Sequence, residues 1–182
     1  MSELLDIVDE RDTVIGQAER DVAHAQGLKI RLVYVWFYTP GGEVILQRRG
    51  STKKSHPDRL VSTMSGHVSA GDSYLEAAVR ETGEETGVVV KPQDLQLFAK
   101  VQLRMEQPGY ITDGFRSVYT YEFTGGIDEL KIEPEEGAGF ELWKCDALLE
   151  ALDTQPDNFA PFMLEPINRE LIASIIQGSQ AS

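Results

Sequence analysis

The chain has 182 residues, of which 41% are hydrophobic and 26% are charged, a composition typical of a soluble globular protein. No run approaches the ~20 apolar residues of a membrane-spanning helix, the acidic N-terminus lacks the apolar core of a signal peptide, and a single cysteine excludes an intrachain disulfide framework. We therefore expect one cytoplasmic domain over residues 1–182, with an N-terminal β-hairpin extension over about residues 1–28 and a loose tail from about 178 to 182.

Apolar periodicity and turn residues predict a mixed α/β order along the chain. We expect strands at 4–8 and 14–17, a helical turn at 21–26, strands at 30–38 and 44–47, a helix over about 73–87, strands at 94–103 and 115–123, a strand at 140–143, and helices at 146–152 and 166–176. Residues 104–114 are expected to form a long connection, flanked by Tyr110 and Phe115, that could serve as a substrate loop.

Residues 66–88, GHVSAGDSYLEAAVRETGEETGV, contain the strongest functional signal. Ser73, followed three residues later by Glu76, is a capping-box pattern, and Gly87 is a typical helix stop. These residues set the limits of the predicted helix.

Three glutamates share one face of this helix. Each helical residue turns by about 100°, so Glu84 and Glu85 lie about 60° and about 40° to either side of Glu81. Carboxylates at this spacing repel one another, and a divalent cation would offset that cost. A solvated acidic helix face is the alternative interpretation.

The stretch resembles the Nudix box, G-x5-E-x7-R-E-U-x-E-E-x-G-U, in which U is aliphatic. The matching residues are Gly66, Arg80, Glu81, Glu84, Glu85, Gly87 and Val88. Asp72 stands where the pattern has Glu, and Thr82 where it has an aliphatic residue. Because Asp is one methylene shorter, we expect a weakened contact to Arg80. Segments at 5–28, 43–54, 65–78 and 156–167 resemble the branch of this superfamily that is related to isopentenyl diphosphate isomerase.

The resemblance implies the α/β/α Nudix fold, a mixed β-sheet between α-helices. It also implies a metal-dependent hydrolase that cleaves the diphosphate linkage of a nucleoside diphosphate joined to a group X, or of a similar organic pyrophosphate. Mg²⁺ or Mn²⁺ is expected on Glu81, Glu84 and Glu85, with the Gly66 carbonyl as a further ligand.

Further roles follow from the same resemblance. Arg80 is expected to orient a glutamate through a charge-assisted hydrogen bond. Glu84 or Glu85, or Glu136 from the loop before 140–143, is expected to act as general base, and Glu135 could replace Glu136. His67 follows Gly66 at a point where a histidine binds metal in the isomerases, so it is a further candidate ligand. His24 and His56 have no context that distinguishes them from surface residues.

Basic residues concentrate between positions 29 and 59, although the formal net charge of −13 opposes binding of polyphosphates and nucleic acids. They are Lys29, Arg31, Arg48, Arg49, Lys53, Lys54 and Arg59. We expect Arg48, Arg49 and Lys53 to contact the phosphates of a small-molecule substrate. A basic surface that only aids solubility is the alternative interpretation. Neither nucleic acid nor membrane is an expected partner, and a homodimer is the assembly that base rates favour.

Two other functions compete with hydrolysis. An isopentenyl diphosphate isomerase would use a cysteine just before the Gly-His step, where this chain has Ser65, while its one cysteine, Cys145, lies far away. A non-catalytic binding module should have lost the metal-binding glutamates, which are all present. The identity of the diphosphate substrate stays open.

Overall fold

The structure, a computed structural model, describes residues 3–53, 55–132 and 137–180. The strands in these ranges are β1 (Leu4–Val8), β2 (Val14–Glu19), β3 (Lys29–Tyr38), β4 (Glu43–Arg49), β5 (Leu60–Val61), β6 (Met64–His67), β7 (Gln96–Gln107), β8 (Tyr110–Glu122) and β9 (Gly137–Lys144). The α-helices there are α1 (Arg20–Gln26), α2 (Tyr74–Thr86), α3 (Cys145–Thr154) and α4 (Pro166–Gln180). Short 3-10 turns occupy Pro92–Asp94, Ile127–Glu129, Pro156–Asn158 and Pro161–Leu164.

The described strands form one mixed sheet and one separate hairpin. The sheet follows the order β5-β4-β3-β8-β7, with β6 also paired to β3 and β9 to β4. The β3–β8 pair is parallel and the other pairs are antiparallel. β1 and β2 form the hairpin expected at the N-terminus.

Strand β3 explains why helices cover both faces of the sheet. Its side chains alternate across the sheet, and every residue from Leu32 to Phe37 is buried. Leu32, Tyr34 and Trp36 pack with residues of α3 and α4, whereas Val33, Val35 and Phe37 pack with Ala77 and Ala78 of α2. Truncating Trp36 or Phe37 to alanine would cost about 3–5 kcal/mol of stability. The expected α/β/α architecture is therefore confirmed.

The long connection expected at 104–114 is wrong. β7 and β8 form one continuous antiparallel hairpin in which Gln107 pairs with Tyr110. Pro108 and Gly109 make the turn, and Gly109 has a φ of 74°, the left-handed value that the third position of a type II turn requires. Tyr110 therefore lies at the start of a strand rather than beside a loop.

The ends of the chain differ in detail from expectation. Helix α4 extends to Gln180, beyond the start of the predicted tail at 178. Within the described ranges, no helix has both the length and the apolar character needed to cross a bilayer.

Candidate active site

Helix α2 begins and ends where the local sequence predicts. The Ser73 hydroxyl accepts from the Glu76 amide at 3.2 Å, and the Glu76 carboxylate accepts from the Ser73 amide at 2.9 Å. Gly87, with a φ of 72°, ends the helix. Both ends of the helix are thus capped, and the packing of Ala77 and Ala78 against the sheet sets the direction in which the three glutamates project.

Strand β6 passes directly beside Glu81. A Cβ atom added to Gly66 would lie 2.4 Å from Cδ of Glu81, so any larger residue would displace this carboxylate. The Glu81 side chain is only 13% exposed. Burial raises its pKa, an effect that the Arg80 cation opposes. Gly66 therefore creates the space in which the Glu81 carboxylate lies.

Arg80 connects the glutamates to the loop before the helix. Its Nη1 donates to Oε1 of Glu81 at 2.8 Å and to Oε2 of Glu84 at 3.2 Å. Its Nη2 donates to the Ser69 hydroxyl at 3.2 Å and to the His67 carbonyl at 3.5 Å. Asp72 approaches the same nitrogen only to 3.7 Å. This long distance fits the weak contact expected of the shorter Asp side chain.

Glu81, Glu84 and Glu85 line one wall of a cavity of about 460 Å³, together with Gly66 and His67. Carboxylate oxygens suit Mg²⁺ or Mn²⁺. Each of the two glutamates that Arg80 holds keeps a second oxygen that Arg80 does not contact. In the described part of the chain, no three His, Cys, Asp or Glu side chains are already gathered around a metal position. The donors therefore fit a divalent ion by chemistry and location, and binding would draw their carboxylates together.

The cavity also has basic lining residues, which are Arg20, Arg49 and Lys53. Arg49 donates from Nε to the Ser55 carbonyl at 2.8 Å and from Nη2 to the Ser55 hydroxyl at 3.0 Å, which fixes its guanidinium at the cavity. These cations could hold an anionic ligand in the cavity that the glutamates also line.

Arg48 does not line the cavity. Its Nε donates to Glu141 at 2.5 Å, and its Nη1 donates to the Asp58 carbonyl at 2.7 Å. Successive side chains of a strand point to opposite faces, so Arg48 and Arg49 of β4 cannot share a wall. The structure thus brings Arg49 and Lys53 to the cavity and places Arg48 outside it.

His24 is a cavity residue that the sequence analysis assigned wrongly to the surface. It is 1% exposed, and its ring stacks on Tyr110 with centroids 3.9 Å apart. Its Nδ1 lies 2.9 Å from the Ile111 carbonyl, and its Nε2 lies 2.9 Å from Nε2 of His67. Burial lowers the pKa of both rings, that of His67 strongly. When both rings are neutral, Nδ1 of His24 donates to the Ile111 carbonyl, and Nε2 of His24 accepts a hydrogen bond from Nε2 of His67.

Two residues bear on the competing isomerase function. Ser65 lines the cavity at the position where the isomerases have cysteine. Cys145 is buried at the start of α3, and burial raises the pKa of its thiol to about 11. Glu135 and Glu136, the loop candidates for general base, lie outside the described residues.

Comparisons with known proteins bear on the family and the fold of the chain. The family model of the NUDIX domain matches residues 28–168. An uncharacterized Nudix hydrolase of Streptomyces coelicolor is 47% identical over 96 residues, 53% of this chain and 53% of that protein. Another from Clostridium acetobutylicum is 28% identical over 158 residues, 85% of this chain and 76% of that protein. The crystal structure of DR0079 from Deinococcus radiodurans has a TM-score of 0.68 at 23% identity, covering 95% of this chain and 99% of that chain, which shows a shared fold.

The matches differ in how much of each protein they cover. The chain spans about half the length of the Streptomyces relative that it matches. The domain model covers the segment from β3 to the start of α4, which includes the whole Nudix box and all but Arg20 and His24 of the cavity residues named above. The protein therefore belongs to the Nudix family.

Proposed function

We propose that the protein is a divalent-metal-dependent hydrolase that cleaves the diphosphate linkage of a nucleoside diphosphate joined to a group X, or of a similar organic pyrophosphate. Proteins of the Nudix family cleave phosphoric anhydrides, so family membership supports the class of reaction. The observation that carries the proposal for this chain is that the three glutamates of the box and the basic residues Arg20, Arg49 and Lys53 line one cavity.

The acidic wall would hold Mg²⁺ or Mn²⁺ through Glu81, Glu84 and Glu85, with the Gly66 carbonyl and His67 as further ligands. When bound, such an ion neutralises charge on phosphate oxygens and makes a water molecule more nucleophilic. Arg80 holds Glu81 and Glu84 in place from the side. Positioning of these groups before substrate arrives lowers the cost of reaching the transition state.

The basic lining residues would bind the diphosphate. Arg49 is fixed by Ser55 and presents a planar guanidinium suited to bidentate phosphate contacts. Lys53 adds another cation in the same cavity. These charges would attract the substrate locally although the whole chain is acidic.

A carboxylate of the cavity would accept the proton of the attacking water. Among the residues that the structure describes, we assign this role to Glu85, which is half-buried on the glutamate face of α2 and lines the cavity. Glu84, by comparison, has a side chain that is 61% exposed. Glu136 stays a second candidate from the loop before β9.

A substrate panel tests the proposal. The purified protein is incubated with Mg²⁺, and separately with Mn²⁺, and with nucleotide sugars, dinucleoside polyphosphates, coenzyme diphosphates, nucleoside di- and triphosphates and isopentenyl diphosphate. Reactions in ¹⁸O-labelled water identify the attacked phosphorus, because the label enters only one product. We expect hydrolysis of at least one compound, abolished by EDTA. Absence of cleavage across the panel would contradict the proposal, and formation of dimethylallyl diphosphate would assign the protein to the isomerases.

A further inference from the structure

The N-terminal segment, which precedes the matched domain, reaches the loop of residues 68–73 between β6 and α2. We call this loop the catalytic loop because it leads into the glutamate helix. Strand β1 lies beside its residues 69–71. The Ala70 amide donates to the Leu4 carbonyl at 2.8 Å, and Leu5 forms an isolated antiparallel bridge with Ser69. The loop that leads into the glutamate helix is therefore paired to a strand that lies outside the family model.

Asp6 strengthens this pairing from a buried position. Its side chain belongs to a residue only 5% exposed, and its Oδ2 accepts from the Gly71 amide at 3.0 Å. Its Oδ1 accepts from Nε2 of Gln17 at 3.0 Å, across the hairpin. A buried carboxylate requires such donors, because a carboxylate out of water without partners is strongly disfavoured. The Asp6 carboxylate thus satisfies the Gly71 amide, and that amide in turn stabilises the buried carboxylate.

Glu3 extends the connection to the metal-binding residues. The Ser69 hydroxyl donates to Oε1 of Glu3 at 2.9 Å and lies 3.2 Å from Nη2 of Arg80. Arg80 in turn holds Glu81 and Glu84. A continuous chain of hydrogen bonds therefore runs from Glu3, the residue before β1, through Ser69 and Arg80 to two of the three glutamates.

We propose that strand β1 clamps the catalytic loop and that Asp6 is a positioning residue for the metal-binding glutamates. This proposal rests on the proposed function, since it assigns the glutamates to metal binding. Without the Asp6–Gly71 hydrogen bond, the loop would keep its backbone contacts to Leu4 and Leu5 but lose the side-chain contact that supports them. Ser69 and Arg80 would then hold Glu81 and Glu84 less firmly. Loss of such supporting contacts around a metal site lowers metal affinity or activity by about 10–100-fold.

Three variants separate this role from general stability. Asp6→Ala removes both hydrogen bonds of the carboxylate. Asp6→Asn keeps an oxygen for the Gly71 amide, and the Gln17 amide can rotate to accept from the new Nδ2. Gln17→Ala removes only the cross-hairpin contact from an exposed residue and is the matched control.

The measurements are Mn²⁺ affinity by calorimetry and hydrogen exchange of the Gly71 amide by NMR, both below the unfolding temperature of every variant. We expect Asp6→Ala to bind Mn²⁺ about tenfold more weakly and to exchange the Gly71 amide faster. Asp6→Asn and Gln17→Ala should stay close to the wild type. Wild-type affinity and exchange in Asp6→Ala, or equal losses in all three variants, would overturn the proposal.

The two proposals fail in different ways. If the wild type binds Mn²⁺ but cleaves no diphosphate, the proposed function fails while the affinities and exchange rates still decide on the clamp. If hydrolysis is found but Asp6→Ala behaves as the wild type in both measurements, the clamp fails and the proposed function stands.

Discussion

Glu85 offers the most direct test at the scale of single residues, because its carboxylate lines the cavity from an otherwise well-formed helix. Glu85→Gln keeps the size of the side chain and removes the charge and the proton-accepting oxygen. We expect turnover to fall by about 10²–10⁴-fold, the usual contribution of a general base, while the melting temperature stays within a few degrees. Steady-state kinetics and thermal unfolding are the measurements.

The control is Glu150→Gln, an exposed glutamate of helix α3 away from the cavity. It makes the same chemical change on a helix surface and should leave turnover unchanged. Wild-type turnover in Glu85→Gln would remove Glu85 from the proposed chemistry.

The buried position of His24 could not be predicted from the sequence around it. Its sequence neighbours gave no sign of a cavity position, because its partners His67, Tyr110 and Ile111 are distant along the chain. Only the packing of α1 against β8 and β6 brings the rings together. By contrast, the spacing of Gly66 and Glu81 matches the Nudix box, so both were predicted as site residues. The structure gives the physical reason for the glycine, because a Cβ atom at residue 66 would lie 2.4 Å from Cδ of Glu81.

At the scale of elements, the alternation of strand β4 separates its two arginines. Arg49→Ala removes a cation of the cavity wall, whereas Arg48→Ala breaks an ion pair with Glu141 outside it. We expect Arg49→Ala to raise KM with a smaller change in kcat, because phosphate binding of this kind acts on the ground state and transition state alike. Arg48→Ala should leave KM close to the wild-type value and serves as the matched control.

Steady-state kinetics of both variants with the best substrate of the panel check this prediction. A larger rise of KM in Arg48→Ala than in Arg49→Ala would show that the strand presents the opposite face to the substrate.

Elements with local signals were predicted well from the sequence, and those set by pairing were not. The capping box at Ser73 and the glycine at 87 fixed α2 almost to the residue. The β7–β8 hairpin was missed because its strands continue through polar residues such as Arg104 and Asp113, which pair with each other across the sheet. Polar positions in a strand read as a loop when the partner strand is unknown, so register could not be predicted.

At the scale of the whole molecule, the position of the one cysteine in the sequence bears on the competing isomerase function. Cys145 is 3% exposed, and its raised pKa of about 11 leaves little thiolate at pH 8. We expect the native protein to react very slowly with Ellman's reagent at pH 8 and to release one thiol equivalent after denaturation. Rapid stoichiometric labelling of the native protein would contradict the buried position. It would also reopen a nucleophilic role for Cys145.

Acidic and basic side chains line the same cavity of this acidic chain, and the proposed function depends on a divalent ion at the glutamates. Calorimetric titration of Mn²⁺, in the presence of a non-hydrolysable diphosphate analogue, measures this directly. The comparison is between the wild type and a variant with Glu81→Gln, Glu84→Gln and Glu85→Gln combined, whose fold is checked by circular dichroism. We predict saturable Mn²⁺ binding by the wild type and its loss in the folded variant. Absence of Mn²⁺ binding by the wild type, or equal affinity in the variant, would contradict the account.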